Sequence, residues 1–367
     1  MVRFCRGCLI LFALAFITLA RAETAAQSTA QPDPAQAAAT KRRLTDAVRA
    51  NPANFTAHHA LAVFYLQQGD VKAAIPHLRR AHAIDPTHYD NGYNFALALL
   101  QTGSVKEARD IVTQLLTIKE SGELHNLLGD VEELAGNLKD AADHFQRAAH
   151  MDATEEHLFD WGNIYLRLRA GDNALEVFTA GVARFPASAR LQIGLGIAQY
   201  SRGKYSDAVA SFCRAVDLDP SDPRAYDFLG EIYGIAPELA SEVTERLAGF
   251  VKAHPQNAMA HLYYALSLWR GERARSEPTD LKRVETLLKR AVTLDPKLAR
   301  GFLELGILLS DQERYAEAVE QLRRATTLQP GVAQAHYRLA QAYRRTGQTA
   351  LAEKELEIFQ KLKAEGR

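Results

Sequence analysis

Apolar and small residues recur along the chain with a spacing that predicts pairs of amphipathic helices. Within each of nine consecutive segments, apolar residues lie three and four positions apart, which places them on one face of a helix. A proline closes most segments, and from Pro52 to Pro330 these prolines recur at intervals of 34, 100, 34, 35, 41 and 34 residues. A period near 34 is too long for a heptad and too short for a domain, so it predicts stacked helix-turn-helix repeats.

Small and large apolar residues alternate at fixed positions of each repeat, counted from the start of its first helix. Position 8 is Gly or Ala in all nine: Ala62, Ala96, Gly129, Gly162, Gly196, Gly230, Ala265, Gly306 and Ala340. Positions 7 and 24 carry large apolar residues in most repeats, for example Leu61 with Leu78 and Leu128 with Phe145. This pattern predicts closely packed helices with large side chains filling the space beside the small ones.

A glycine followed by a polar residue separates the two helices of several repeats, as in Gly69-Asp70, Gly103-Ser104, Gly136-Asn137 and Gly171-Asp172. We expect the glycine to end the first helix and the polar residue to cap the second. Together with the small and large positions, these pairs resemble the tetratricopeptide repeat family, and the segments Gln68–Pro86 and Arg202–Pro220 carry the resemblance well. The resemblance implies an all-α fold, a right-handed superhelical solenoid of stacked helix-turn-helix repeats.

The repeat register divides most of the chain into nine units within a domain at 53–367. We assign them to 55–86, 89–120, 122–153, 155–186, 189–220, 223–255, 257–296, 299–330 and 333–363. Residues 40–52 keep the register and predict a capping helix, or half repeat. Residues 23–39 have no apolar period and predict a flexible linker. The seventh repeat carries an insertion at 270–279, which we interpret as a loop.

The first 22 residues have the three parts of a secretory signal peptide. Arg3 and Arg6 precede an apolar run from Cys8 to Ala20, and small residues flank Arg21 at the expected cleavage site. The run is short for a permanent membrane span. We therefore expect cleavage after Ala22 and export to the periplasm or the medium, with an uncleaved N-terminal membrane anchor as the alternative. Cleavage would leave Cys213 as the sole cysteine.

Charge balance and missing motifs exclude several classes of function. The chain has 44 basic and 44 acidic residues, a balance that argues against binding of nucleic acid. It contains no His-Glu-x-x-His zinc helix and no Gly-x-Ser-x-Gly nucleophile motif. We interpret the histidines around His58 and His77 as structural and Cys213 as an inert thiol. The expectation is a protein that is not an enzyme, with no cofactor and no metal.

The resemblance also implies a binding site, because members of this family hold peptides or partner helices on a concave groove. Positions 2, 5, 9 and 12 of each first helix would line that groove, acidic in the third and fourth repeats and basic in the ninth. The candidate groove residues are Tyr93, Asn94, Asn126, Asp130, Phe159, Asn163, Ile193, Ile197, Tyr200, Phe228, Leu262, Tyr263, Trp269, Tyr337 and Arg338.

These observations favour an exported, non-enzymatic scaffold for protein–protein interaction that holds a peptide segment or a partner helix. Two other functions stay open. One is a subunit of an envelope assembly, secretion or polysaccharide-export machine that uses its outer face. The other is a glycan-binding or glycosyltransferase-associated repeat protein. The sequence gives no prediction of oligomeric state.

Overall fold

The computed structural model describes residues 34–232, 239–271 and 280–365, and this part of the chain is all α-helical. Nineteen α-helices run in order, α1 to α19, with a short π-helical turn, Ser267–Gly271, directly after α14. Their bounds are Pro34–Ala50, Phe55–Gln67, Val71–Ile84, Tyr89–Gln101, Val105–Ile118, Gly122–Ala135, Leu138–Met151, Glu155–Arg167, Gly171–Arg184, Ala189–Ser201, Tyr205–Leu218, Pro223–Ile232, Ala240–Ala253, Ala258–Leu266, Leu281–Leu294, Ala299–Asp311, Tyr315–Leu328, Ala333–Arg345 and Thr349–Ala364.

The helices form two compact units, an N-terminal unit up to Gly203 and a C-terminal unit from Lys204. In the N-terminal unit each helix from α2 to α9 packs against the next one along the chain. The first helices of successive repeats, α4, α6, α8 and α10, also contact one another in sequence. In the C-terminal unit the same pairing joins α14 to α15, α16 to α17 and α18 to α19. This order of packing confirms the predicted solenoid of helix-turn-helix repeats.

The small residue at position 8 makes room for the ring at position 24. A methyl group added to Gly129 would lie 2.6 Å from the ring of Phe145, and one added to Gly162 would lie 2.7 Å from the ring of Phe178. Both rings are fully buried, at 1% and 0% exposure. Close packing of this kind is what ties the two helices of a repeat together, since a gap or an overlap would cost stability.

Turns between the paired helices follow the glycine pattern in part. Gly69, Gly103 and Gly136 have positive φ angles of 73°, 81° and 86°, and Asp70 Oδ1 accepts a hydrogen bond from the Ala73 N–H. The expectation for the Gly171-Asp172 pair is wrong. Arg169 has the positive φ angle there, 57°, and Gly171 is already the first residue of α9.

The capping helix begins earlier than the sequence pattern predicts. Helix α1 starts at Pro34 and packs on α2, so residues 34–39, assigned above to the flexible linker, belong to the helix. The signal peptide at 1–22 lies outside the described residues, and so does most of the insertion at 270–279. None of the helices in the described ranges is long and apolar enough to cross a membrane.

Candidate functional site

Carboxylates follow one another across the first helices of the N-terminal unit. Asp90, Glu123 and Glu156 are each the second residue of their helix, in α4, α6 and α8, and all three are exposed. Because α4 contacts α6 and α6 contacts α8, the three form a row across neighbouring helices. The side-chain carboxylates of Asp90 and Glu156 make no hydrogen bond or ion pair with any residue of the described ranges. Their charges are therefore available to a ligand.

Tyr93 lies on α4, three residues after Asp90. Its side chain is half-buried at position 5 of α4, and its pKa is raised to about 12. Burial is the main cause, and the carboxylates of Glu123, Glu156 and Asp130 add to it. The neighbouring Tyr89 donates its hydroxyl to Glu123 Oε2 over 3.1 Å.

Two asparagine side chains lie deeper on the same helices and keep unpaired acceptors. Asn126 Nδ2 donates to Asp160 Oδ2 over 3.1 Å, and since a carboxylate only accepts, this contact fixes the orientation of the amide. Asn126 Oδ1 is buried and has no hydrogen-bond partner in the described part of the chain, and the same holds for Asn163 Oδ1. A buried acceptor left unpaired costs about 1–3 kcal/mol. A donor group on a ligand would recover that cost.

Arginines balance only part of this negative charge. Arg190 of α10 lies over the ring of Phe159 at 3.8 Å and donates to Asp160 Oδ1 over 3.3 Å. Arg167 of α8 forms an ion pair with Glu133 of α6. Both guanidinium groups are held by their own carboxylates. We call the six residues Asp90, Tyr93, Glu123, Asn126, Asp130 and Glu156 the acidic face.

The other candidate residues of the N-terminal unit divide by depth. Asn94, Asp130 and Tyr200 are half-buried, as Tyr93 is. The buried ones are Asn126, Phe159, Asn163, Ile193 and Ile197, at 5–7% exposure. The aliphatic and phenyl side chains among them pack within the unit. A ligand would reach the half-buried residues and the exposed carboxylates first.

In the C-terminal unit three candidates, Leu262, Tyr263 and Trp269, are buried, so their expected place on an open groove is wrong. Trp269 and Tyr263 are 2% exposed and Leu262 is 0% exposed. The Arg270 guanidinium lies over Trp269 at 5.5 Å and pairs with Glu304. Arg300 lies 5.9 Å from the Tyr263 ring and pairs with Glu231 of α12.

The carboxyl group of Asp227 lies beside Tyr263 in the same region. Tyr263 donates its hydroxyl to Asp227, and burial raises the pKa of Asp227 to about 7, with the nearby Glu231 adding to the shift. Tyr263 pairs with Asp227 and Arg300 pairs with Glu231, all within the unit. The cluster therefore explains the burial of Tyr263 and does not offer a binding surface.

The remaining candidates of the C-terminal unit are more accessible. Phe228 is half-buried and stacks on Phe212 with ring centroids 4.8 Å apart, which makes it a packing residue. Tyr337 is exposed and lies against Phe359 of the last helix at 5.1 Å. Arg338 is half-buried on α18 and reaches Gln341.

Histidine pairs are a feature that the sequence reasoning missed. His58 and His77 bring their Nδ1 atoms within 3.2 Å, and His125 and His144 do the same at 3.1 Å. In both pairs the first residue is at position 4 and the second is 19 residues later. The recurrence of His at position 4, at residues 58, 125, 261 and 336, is the signal that could have revealed them.

Neither metal ligands nor a reactive thiol mark a catalytic centre in the described part of the chain. No group of three or more His, Cys, Asp or Glu side chains converges there as a metal site would. Cys213 is buried on α11, and burial raises the pKa of its thiol to about 12. At neutral pH the thiol is protonated and weakly nucleophilic.

Comparison with solved structures returns repeat proteins of low sequence identity. YrrB, described as a tetratricopeptide repeat protein with an unusual peptide-binding site, is 22% identical, and the match covers 50% of this chain and 95% of YrrB at a TM-score of 0.41. A MamA protein is 19% identical over 45% of this chain and 92% of its own, also at 0.41. A tetratricopeptide repeat protein from Parabacteroides merdae is 16% identical over 70% and 98%, at 0.47.

Among curated proteins, the human protein O-mannosyl-transferase TMTC1 is 25% identical over 193 residues, which is 51% of this chain. The match covers 22% of the length of that protein, so the chain spans about a fifth of it. Two family models, both of the tetratricopeptide repeat, match the sequence itself. One matches residues 65–131, and the other matches 30–89, 159–223 and 303–364, about half of the chain. The chain belongs to the tetratricopeptide repeat family.

Proposed function

We propose that this protein is an exported, non-enzymatic scaffold that holds a segment of a partner protein on the acidic face of its N-terminal unit. Tetratricopeptide repeats form a scaffold suited to protein interaction, and this chain has that scaffold. The observation that carries the proposal is Asn126 Oδ1, a buried acceptor with no partner, one helical turn from Asp130 on the same face of α6. A backbone or side-chain N–H of a bound segment would complete it.

Tyr93 supplies the apolar part of the same surface. Its ring is half-buried and stacks on Tyr89 with centroids 6.2 Å apart, so it is held in place before a ligand arrives. Rigid aromatic side chains of this kind carry much of the binding energy at protein interfaces. A polypeptide fits this combination of an aromatic platform, unpaired amide oxygens and carboxylates better than a small ion does.

The test is a quantitative pull-down from an envelope fraction, with the full mature chain as bait and two tyrosine variants compared. Tyr93→Ala removes the aromatic of the acidic face. Tyr65→Ala is the matched control, since Tyr65 is also half-buried but stacks on His77 at 5.9 Å, within the first repeat. We expect Tyr93→Ala to lose captured partner roughly tenfold and Tyr65→Ala to keep it. Equal recovery with both variants would refute the binding face, once thermal melts show that both are folded.

Export forms the second half of the proposal and rests on the three-part pattern of residues 1–22. N-terminal sequencing of the purified protein from a fractionated culture tests it. The expected new terminus is Glu23, in the periplasmic or secreted fraction. Recovery of an intact Met1 from the membrane pellet would instead support an uncleaved anchor.

A second candidate function follows from the similarity to the mannosyl-transferase. The chain would then serve as a repeat arm that works with a glycosyltransferase or binds glycan. A glycan array separates the two, because a scaffold for protein segments would give no signal that survives competition with free sugar.

A further inference from the structure

Charge in the N-terminal unit is segregated between the two kinds of helix. The five first helices, α2, α4, α6, α8 and α10, carry eight carboxylates, two arginines and no lysine. The four second helices, α3, α5, α7 and α9, carry six carboxylates and eight basic side chains. The negative charge therefore belongs to one side of the repeats and is not a property of the whole unit.

The carboxylates and the Asn126 oxygen of the acidic face accept hydrogen bonds. The exposed carboxylates of Asp90 and Glu156 accept, and so does Asn126 Oδ1, which belongs to a side chain only 6% exposed. The Asn126 amide cannot rotate to present its N–H₂ group instead, because that group is donated to Asp160. Lys and Arg are the side chains with donors only, so they match these acceptor groups.

The row of carboxylates also has a spacing. Asp90, Glu123 and Glu156 each hold the second position of a first helix, and these first helices contact one another from repeat to repeat. Helices in contact have axes about 8–10 Å apart. A polyproline II segment rises about 3.1 Å per residue and has three residues per turn, so every third side chain returns to the same side after about 9 Å. The spacing of the helix axes therefore matches the rise of one polyproline II turn. A segment in this conformation would present one side chain to each carboxylate.

We infer that the acidic face recognises an extended, polyproline II-like segment of a partner protein with Lys or Arg at every third residue. The inference rests on the proposed function and adds the chemistry and the spacing of the ligand. Charge complementarity, the unpaired Asn126 oxygen and the repeat of the carboxylate row specify that occupant together.

Fluorescence anisotropy with three labelled nonapeptides tests this on the full mature chain. The first peptide has Lys at its first, fourth and seventh residues with Pro and Gln between them. The second has the same composition with the three lysines consecutive. The third replaces each Lys by Gln. We expect the first to bind most tightly, and its affinity to fall as salt is raised from about 50 to about 200 mM, because exposed charges are screened over that range.

Paired variants then locate the binding. Asp90→Asn with Glu156→Gln removes two exposed carboxylates of the row, and we expect it to weaken the first peptide about three- to tenfold. The matched control is Asp140→Asn with Asp207→Asn. These two are also exposed carboxylates in the first turn of helices, so the control repeats any loss of helix-dipole stabilisation. We expect it to leave binding unchanged.

Each result has a defined meaning. If the Gln peptide or the consecutive-Lys peptide binds as tightly as the first, or if both double variants weaken binding equally, the inference is wrong. If no peptide binds but Tyr93→Ala still reduces capture of an envelope partner, the binding face stands and the basic, spaced ligand does not. If the peptides fail and Tyr93→Ala captures as wild type does, both fall.

Discussion

Two pairs of histidines face each other between the helices of the first and third repeats, and their protonation affects stability. Burial lowers the pKa of His77 and of His144, and the facing His58 and His125 lower it further. In each pair the two Nδ1 atoms lie 3.1–3.2 Å apart, so one Nδ1–H donates a hydrogen bond to the other Nδ1. Two protonated imidazolium rings at this distance would repel each other. Around His144, Arg147 also lowers the pKa, whereas Glu132 and Asp143 oppose it.

Acidification should therefore destabilise the fold. The folded pKa values of His77 and His144 lie below that of an unfolded histidine, so the unfolded chain binds more protons as pH falls through about 6.5. The stabilisation from the neutral pairs is present above that pH and is lost below it. We expect the urea midpoint of unfolding to fall between about pH 7.5 and about pH 5.5.

The ninth repeat offers a natural control for this effect. His336, at the same position 4, contacts Glu355 Oε2 at 2.6 Å instead of a second histidine. Replacing His77 and His144 by Glu copies that arrangement, and we expect it to remove most of the acid sensitivity. His150→Gln, at an exposed site, controls for the loss of a histidine as such. An unchanged pH profile in the double Glu variant would show that other groups cause the loss.

The sequence could predict a contact between two side chains where the repeat pattern alone determines which two positions meet. The small residue at position 8 and the large one at position 24 are of this kind, and Gly129 meets Phe145 as expected. Trp269 could not be placed in this way, because the Arg270 guanidinium beside its ring pairs with Glu304 of the next repeat. Partners supplied by another repeat leave no signal in the local pattern.

The turn between α8 and α9 places a residue with a side chain, Arg169, in the left-handed backbone region. The Ala170 N–H donates to the Tyr165 carbonyl over 2.9 Å, as the Asp70 N–H does to the Tyr65 carbonyl at the end of α2. Both are helix-ending motifs that need a left-handed residue just before the donor. Gly69 fills that place in the first repeat, but Arg169 fills it in the fourth, with φ at 57°.

Replacing Arg169 by Gly should therefore stabilise the N-terminal unit. A side chain in the left-handed region costs about 1–2 kcal/mol, and glycine gives back part of that gain through the flexibility of the unfolded chain. We expect a net increase of about 0.5–1 kcal/mol in the free energy of unfolding, measured by urea denaturation. Arg184→Gly, inside the last turn of α9, should lower stability instead. A neutral or negative effect of Arg169→Gly would mean that the positive φ is not strained.

Helix bounds were the most predictable feature at the scale of the element, since apolar spacing and proline stops both follow from local backbone chemistry. The start of α1 was not, because Pro34 and the alanines after it have no apolar period. Such a segment becomes helical by continuing a helix that packs on α2, and sequence pattern alone does not reveal packing.

On the scale of the whole molecule, a thiol count tests the processing of the chain. The sequence contains three cysteines, and Cys5 and Cys8 leave if cleavage follows Ala22. We expect one reactive thiol per chain in denaturant and almost none in the native protein, because burial raises the pKa of Cys213 to about 12. Three thiols in denaturant would show that the N-terminal segment is retained.

Site-specific photo-crosslinking shows directly whether the acidic face of the N-terminal unit holds a partner segment. The photoreactive amino acid p-benzoylphenylalanine is placed at Tyr93, at Glu156, or at the exposed Glu176 on the second helix α9. We predict that one partner cross-links in an envelope fraction from positions 93 and 156 and not from 176. Cross-linking of that partner from 176 but not from 93 or 156 would contradict the account.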